Sequence, residues 1–339
     1  MIANRSALAR VSLTTSRKVA LSLCLALCTL SISALAQQAK IITFDPPGSG
    51  STYPISINSA GAITGQYVHG GLYHGFLRAS DGSFTTFDPP KSNFTTPLSI
   101  NSVGAIAGEY EDSVFFTHGF LRAPDGSFTT FDPPGSTFTG WATLNSAGAI
   151  TGIYDDAQQV LHGFLRAPDG SFTTFDPLGS SGTYPVGINA AGAITGYYLD
   201  SAGLNRGFLR DPDGAIATFV VVEGQNTDPQ GINSAGEVTG AYGLGGHRDH
   251  GFVRSADGTI TTFAGIPLSI NDAGRITGFY TNPQTGVERG FVRRPGGTFT
   301  TFGLPWTSLI TPWSINSAGA ITGSYAEYNG PYHGFLLTP

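Results

Sequence analysis

Cysteine is absent from all but the first 36 residues of this chain: Cys24 and Cys28 are its only two. A disulfide framework and a thiolate metal site are therefore excluded for the remainder. Stability there has to come from burial, which about 300 residues can supply. Lysine is nearly absent as well, and beyond residue 36 only Lys40 and Lys91 occur. Four of the 17 basic residues (Arg5, Arg10, Arg17 and Lys18) lie before residue 37, leaving 13 basic against 23 acidic residues, a net charge of −10. A binder of phosphate backbones needs a basic stripe. None is present, so nucleic acid and anionic membrane surfaces are poor partners. No segment beyond residue 36 carries a long helical period. There is no activated-nucleophile motif, no phosphate-cradling loop and no H-E-x-x-H.

The first 36 residues have the form of an export signal. A positive region ends at Lys18, an apolar run spans Val19 to Leu30, and Ala34-Leu35-Ala36 makes a small-x-small cleavage site. The apolar run is too short to be read as a membrane span. The expected organisation is a signal peptide over 1–36 and one domain over 37–339. The expected location is secreted, periplasmic or cell-surface, with no membrane span in the mature chain.

What the chain does have is one phrase written seven times: I-N-S-A-G-A-I-T-G-x-Y, a variable stretch, H-G-F-L-R, then x-D-G-S-F-T-T-F. Its anchors are Asn58, Asn101, Asn145, Asn189, Asn233, Asn271 and Asn316, spaced 43, 44, 44, 44, 38 and 45 residues apart. Each copy reads as four short antiparallel strands. N-S-A-G supplies a tight hairpin with glycine in the left-handed position, and P-D-G supplies a second turn. Phe and Thr alternate along the last strand, as suits a half-buried pleated surface. Four strands per roughly 44 residues match the blade of a β-propeller.

The seventh copy stops at Thr338-Pro339, and its missing last strand stands at the other end as Ile41-Ile42-Thr43-Phe44-Asp45. A split repeat of this kind closes a ring and removes free sheet edges, which a stacked solenoid would not need. The fold class is thus all-β: a seven-bladed β-propeller of four-stranded antiparallel blades, closed by the N-terminal strand, with the asparagine-bearing strand innermost. Before each asparagine stands a large aliphatic residue, and before that a small one, so blades can nest near the axis. Phe76 and Phe44, each with six equivalents, are expected to form the outer core.

The string I-N-x-x-G-x-I-T-G-x-Y followed by H-G-F-L-R resembles the HAF repeat of secreted bacterial proteins, with His-Gly-Phe in place of His-Ala-Phe. The resemblance covers the whole chain beyond the signal. It implies an extracellular repeat protein and brings no established activity and no catalytic residues.

The triplet position carries His74, His118, His162, His250 and His333, with Arg206 and Arg289 in the other two copies. Guanidinium does not ligate metal, so a metal ring is not expected. The expected role is structural, a donor stacked on or bonded to the fixed tyrosine of the preceding strand. No metal and no cofactor are expected. The anchor asparagines read as turn formers.

By strand order, one face of the disc holds the uniform hairpins and the other holds loops that differ in every blade. A functional rim belongs on the second. Those loops gather aromatics, of which Tyr53, Phe116, Trp141, Tyr184, Trp306, Trp313 and Tyr332 are the ligand-binding candidates; flat exposed rings stack on sugars and on apolar or proline-rich peptides. Glu109, Glu111, Asp112, Asp155, Asp156 and Asp200 make neighbouring loops acidic. His69, His247, Arg248 and Asp249 stand outside the repeat, and the short step from Asn233 to Asn271 suggests a notch in the rim. The expectation is a monomeric binding module for a glycan or cell-surface polymer, with a protein-interaction scaffold and a polysaccharide lyase as alternatives.

Overall fold

The computed structural model describes residues 40–245 and 250–339. The expected signal segment 1–36 and the residues His247, Arg248 and Asp249 lie outside the described residues.

The anchor asparagine shows why each copy turns where it does. In blade 3 its main-chain carbonyl accepts from Gly148 N at 3.2 Å, and its Oδ1 accepts from Ala147 N and Ala149 N at 3.0 Å each. Gly148 has φ +85°, a region that costs a glycine nothing. The glycine of H-G-F answers a different need: a Cβ on Gly75 would lie 2.6 Å from the Phe87 ring. Only a bare backbone lets the outer strand come that close.

Twenty-eight strands among the described residues form seven four-stranded antiparallel sheets. Blade 1 runs from its inner strand Ser51–Ile57 through Ile63–His69 and Leu72–Arg78 to its outer strand Phe84–Phe87. Blades 2 to 6 repeat this order. Blade 7 is completed by Lys40–Phe44, which pairs antiparallel with Tyr332–Thr338 in the register Lys40↔Thr338 to Phe44↔Gly334. The chain is a seven-bladed β-propeller sealed within its last blade, as its split repeat implied.

The core lies between blades. Phe76, Phe120, Phe164, Phe208, Phe252, Phe291 and Phe335 are fully buried. Each meets the outer-strand phenylalanine of the preceding blade edge to face, from Phe44–Phe76 at 6.4 Å to Phe302–Phe335 at 6.2 Å. In six blades the arginine closing the third strand stacks on that same outer ring, as Arg78 does on Phe44 at 4.9 Å. Such pairs are worth about 0.5–2 kcal/mol. Blade 7 carries Leu337 there instead and packs it with Leu304 and Phe302.

The short step between Asn233 and Asn271 has a simple form. The outer strand Ile260–Ala264 and the next inner strand Ile266–Ile270 are joined by Gly265 alone, at φ +103°. The corresponding link after Phe87 takes four residues.

Candidate functional site

The inner strands run toward the asparagine hairpins, and residues two to four places before the asparagines face the axial channel. They line a cavity of about 410 Å³. Its aliphatic wall is Ile55, Leu98, Val186 and Leu268, with Pro185 beside them; Ser56, Thr143, Gln230, Ser269 and Ser314 supply polar groups, and Trp141 and Trp313 supply indoles. The volume falls within the usual range of small-ligand pockets, about 300–1,000 Å³. Among the described residues, its wall holds no charged side chain.

Of the aromatic candidates, two line this cavity and a third packs against one of them. Trp141 and Trp313 are 40% and 42% exposed and stand on blades 3 and 7, almost across the ring from each other. Tyr184 packs on Trp141 at 5.7 Å and stacks flat on Tyr197 at 4.7 Å. Burial raises the pKa of the Tyr184 phenol above its ordinary value. Tyr53 and Tyr332 belong to a second group, a ladder of rings running Tyr332–Tyr53–Tyr73–Phe94 at 5.1, 6.2 and 5.7 Å. It spans blades 7, 1 and 2 on the same face. Phe116 stands apart beside a smaller cavity of about 180 Å³ with His118 and Phe138. Trp306 is 63% exposed on the loop between blades 6 and 7 and does not line the axial cavity.

Trp141 breaks the repeat. Four places before the anchor asparagine stands proline in six blades (Pro54, Pro97, Pro185, Pro229, Pro267 and Pro312), and tryptophan only in blade 3. Having an N–H where the others have none, Trp141 donates it to Glu109 Oε2 at 2.7 Å. Burial raises the Glu109 pKa above the ordinary carboxylate range, and the Trp141 hydrogen bond partly offsets that rise. The aligned repeats show this substitution plainly; only the axial position of the column gives it meaning.

The triplet histidines bond mainly to aspartates, a contact the repeat pattern had pointed toward tyrosine. His74, His118, His162 and His333 place Nδ1 at 2.7–2.8 Å from Asp88, Asp132, Asp176 and Asp45, each just past the outer strand of the same blade. The fixed tyrosine stacks alongside, as Tyr154 does on His162 at 5.2 Å. The other oxygen of Asp45, Asp88 and Asp176 accepts from Thr52, Thr95 and Thr183 on the next blade's inner strand. The set is therefore a stitch between blades. Where the triplet holds arginine, the aspartate is gone: Val220 and Gly303 take its place, and Ala264 does so opposite His250. That covariation was readable in the aligned copies.

The acidic loops disperse into the same pattern. Asp112, Asp156 and Asp200 occupy one equivalent position and cap their loops by accepting two main-chain N–H groups each. Each also pairs with its triplet residue: His118 at 3.5 Å, His162 at 3.3 Å and Arg206 at 2.7 Å. Their oxygens are committed, and among the described residues no group of three or more His, Cys, Asp or Glu side chains is arranged to hold a metal ion.

No protein-family model matches the sequence, and no curated protein matches it. Solved structures do match in shape. Virginiamycin B lyase from Staphylococcus aureus superposes with a TM-score of 0.60 at 14% identity, over 89% of this chain and 100% of the lyase. A catalytically inactive variant of that lyase with quinupristin gives 0.61 at 13%, over the same shares. The β-propeller domain of the Trilobed protease from Pyrococcus furiosus, described as having an open velcro topology, gives 0.58 at 5%, over 85% of this chain and 94% of that domain. Likeness at these identities is likeness of fold. No helix among the described residues is long and apolar enough to cross a membrane.

Proposed function

We propose that this chain is an exported propeller module that binds a carbohydrate or cell-surface polymer in the axial cavity of its variable face. The observation that carries the reading is the pair of half-exposed indoles, Trp141 and Trp313, facing one cavity from opposite blades. Rings so placed stack on the flat apolar faces of sugars, while the serines, Thr143 and Gln230 offer hydrogen bonds to hydroxyls. The described wall residues, none of them charged, suit a neutral sugar better than a uronate, whose carboxylate would want a cation nearby. Export rests on the N-terminal signal pattern and on the resemblance to HAF repeats.

A polysaccharide panel on the purified protein tests the reading, with bound fraction and reaction products read from the same tubes. Binding of neutral glycans without products supports it. Products, or retention of acidic glycans alone, would replace it.

The scaffold alternative has its own observation. Phe115, Leu178, Trp306 and Tyr328 are 74%, 99%, 63% and 84% exposed on loops of the variable face, outside the axial cavity. Apolar tips in that number suit a protein surface. Binding that survives loss of Trp141 and Trp313 but fails with Trp306→Ala and Tyr328→Ala would favour it.

A further inference from the structure

Trp141 is in a conformation that its side chain does not favour. Among the described residues, five non-glycine residues have φ in the left-handed region: Lys91, Phe115, Gln159 and Asn329 lie in loops, while Trp141, at φ +56°, lies inside the strand Phe138–Leu144. A bulky residue held there is strained unless its surroundings over-determine it, and such strain gathers at ligand sites. The surroundings here are specific. The register of the inner strand breaks here in every blade, in blade 3 between Gly140 and Thr143, so the bulge is common to the ring and what differs is what it holds. Glu109, from the second strand of blade 2, reaches across the blade boundary to accept the Trp141 N–H. Gly140 makes room for it, because a Cβ there would sit 2.6 Å from Glu109 Oε2.

Three changes therefore coincide at one point of an otherwise regular ring. Proline becomes Trp141. The residue before it becomes Gly140, where the other blades carry Tyr53, Thr96, Tyr184, Asp228, Ile266 and Thr311. The variable place in T-G-x-Y becomes Glu109, where the others carry Gln66, Ile153, Tyr197, Ala241, Phe279 and Ser324. None of the three has a purpose without the others. Closing a blade requires none of them, since each is absent from six of the seven blades and five blades carry none.

We propose that Glu109 is the positioning residue of the axial cavity: its carboxylate holds the Trp141 backbone in the left-handed region, and Gly140 gives it access, so that the indole forms part of the cavity wall. This deepens the glycan-binding reading and rests on it for its function, although the positioning itself can be measured without any ligand. Glu109 touches the main chain of Trp141 and does not line the cavity, so it acts through the indole.

The ligand-free test uses Trp141 as its own reporter, in a W306F/W313F background that leaves it as the single tryptophan. In that background Glu109→Gln, whose amide oxygen can still accept the N–H, should leave the emission maximum and acrylamide quenching of Trp141 unchanged. Glu109→Ala should shift both. An unchanged signal in Glu109→Ala overturns the positioning role.

The functional test restores the sequence of the other blades. The double variant E109A/W141P should melt at or above the wild-type temperature, because it removes the strained residue and its charged partner together. Trp141→Pro alone should melt lower, because Glu109 then loses its donor. Retention of cellohexaose, xylohexaose, mannohexaose and maltohexaose is then compared between wild type and double variant. A double variant that stays folded and loses at least tenfold in affinity supports the proposal. One that binds as well as wild type, or melts well below it, overturns it. If wild type binds none of these sugars, the glycan reading fails while the fluorescence result still decides whether Glu109 positions Trp141.

Discussion

The side-chain amide of Asn316 donates to the main-chain carbonyl of Asn58 at 2.9 Å, joining residues 258 apart in the chain. It is one link of seven. Asn58 donates to Asn101, Asn101 to Asn145, and so on through Asn189, Asn233 and Asn271 to Asn316, at 2.8–3.3 Å. Each asparagine thus shapes its own turn with Oδ1 and clasps the next blade with Nδ2, and the clasps form a closed circle at the uniform end of the axis.

Asn316→Asp separates these two jobs. Aspartate keeps the oxygen that caps the turn and loses the donor, so a residue needed only for the turn would accept the change. The expected outcome is a loss of about 1–3 kcal/mol for Asp as well as for Ala, because the clasped carbonyl is buried and left without its partner. Equilibrium denaturation of both variants decides it; a neutral Asp variant would reduce the asparagines to turn formers.

The seam should be the most sensitive place in the ring. Phe44 sits on the strand that closes blade 7, and it touches Phe76, Phe84 and the guanidinium of Arg78. Phe44→Ala should cost about 3–5 kcal/mol, the range for a buried phenylalanine. Guanidinium chloride unfolding would show it, and a loss below about 1 kcal/mol would mean that the seam contributes little.

His162 should make stability depend on pH. Burial lowers its pKa, but the hydrogen bonds and charges of Asp176 and Asp156 outweigh that and leave it raised above the ordinary histidine value. A raised folded-state pKa gives a contribution that is complete below the ordinary value, about 6.5, and is lost as pH rises through the folded value. Asp156 behaves oppositely: the main-chain N–H of Val160 and further hydrogen bonds depress its pKa, so its contribution is lost as pH falls through that lowered value. The difference in melting temperature between wild type and His162→Gln should therefore be largest in mildly acidic buffer and shrink as pH rises past neutrality. A difference flat across that range would show the pair to be inert. His162→Leu should destabilise and His162→Arg should be tolerated, because Asp156 and Asp176 both want a donor; equal melting temperatures for the two would contradict this.

The three tryptophans should not be equivalent. Trp141→Ala and Trp313→Ala remove the two indoles of the axial cavity and should each weaken neutral glycan binding about tenfold, the equivalent of ~1.4 kcal/mol. Trp306→Ala should leave it unchanged. Isothermal titration of the three variants against the tightest sugar of the panel checks this, and an equal loss for Trp306→Ala would move the site outward to the loops.

The architecture was legible in the sequence because a repeat displays what every blade requires. Asparagine, the glycines and the two phenylalanines recur at fixed places because the turn, the close approach of strands and the interblade core recur. The split of the last copy declared the closure. The site was harder to read for the complementary reason, since it consists of departures from the pattern, and a departure carries no position. Trp141 and Trp306 look alike in the chain. One falls four places before an asparagine and reaches the axis, whereas the other falls ten places before and stays on the rim. The acidic residues looked like one cluster because they stand in neighbouring loops, but three of them are the same position in successive blades, each occupied with its own turn and its own histidine or arginine. Glu109 looked like one more of them, and its neighbour Trp141 is 32 residues away.

The register at the seam sets Lys40 beside Thr338. Strand direction places both at the edge of the uniform face, where the asparagine hairpins lie, and away from the cavity lined by Trp141 and Trp313. A surface, bead or fusion partner joined near either position would hold the disc by its back and leave the opening turned outward. Orientation is thus written into the fold, and a tether would need no further device to present the variable face to its surroundings.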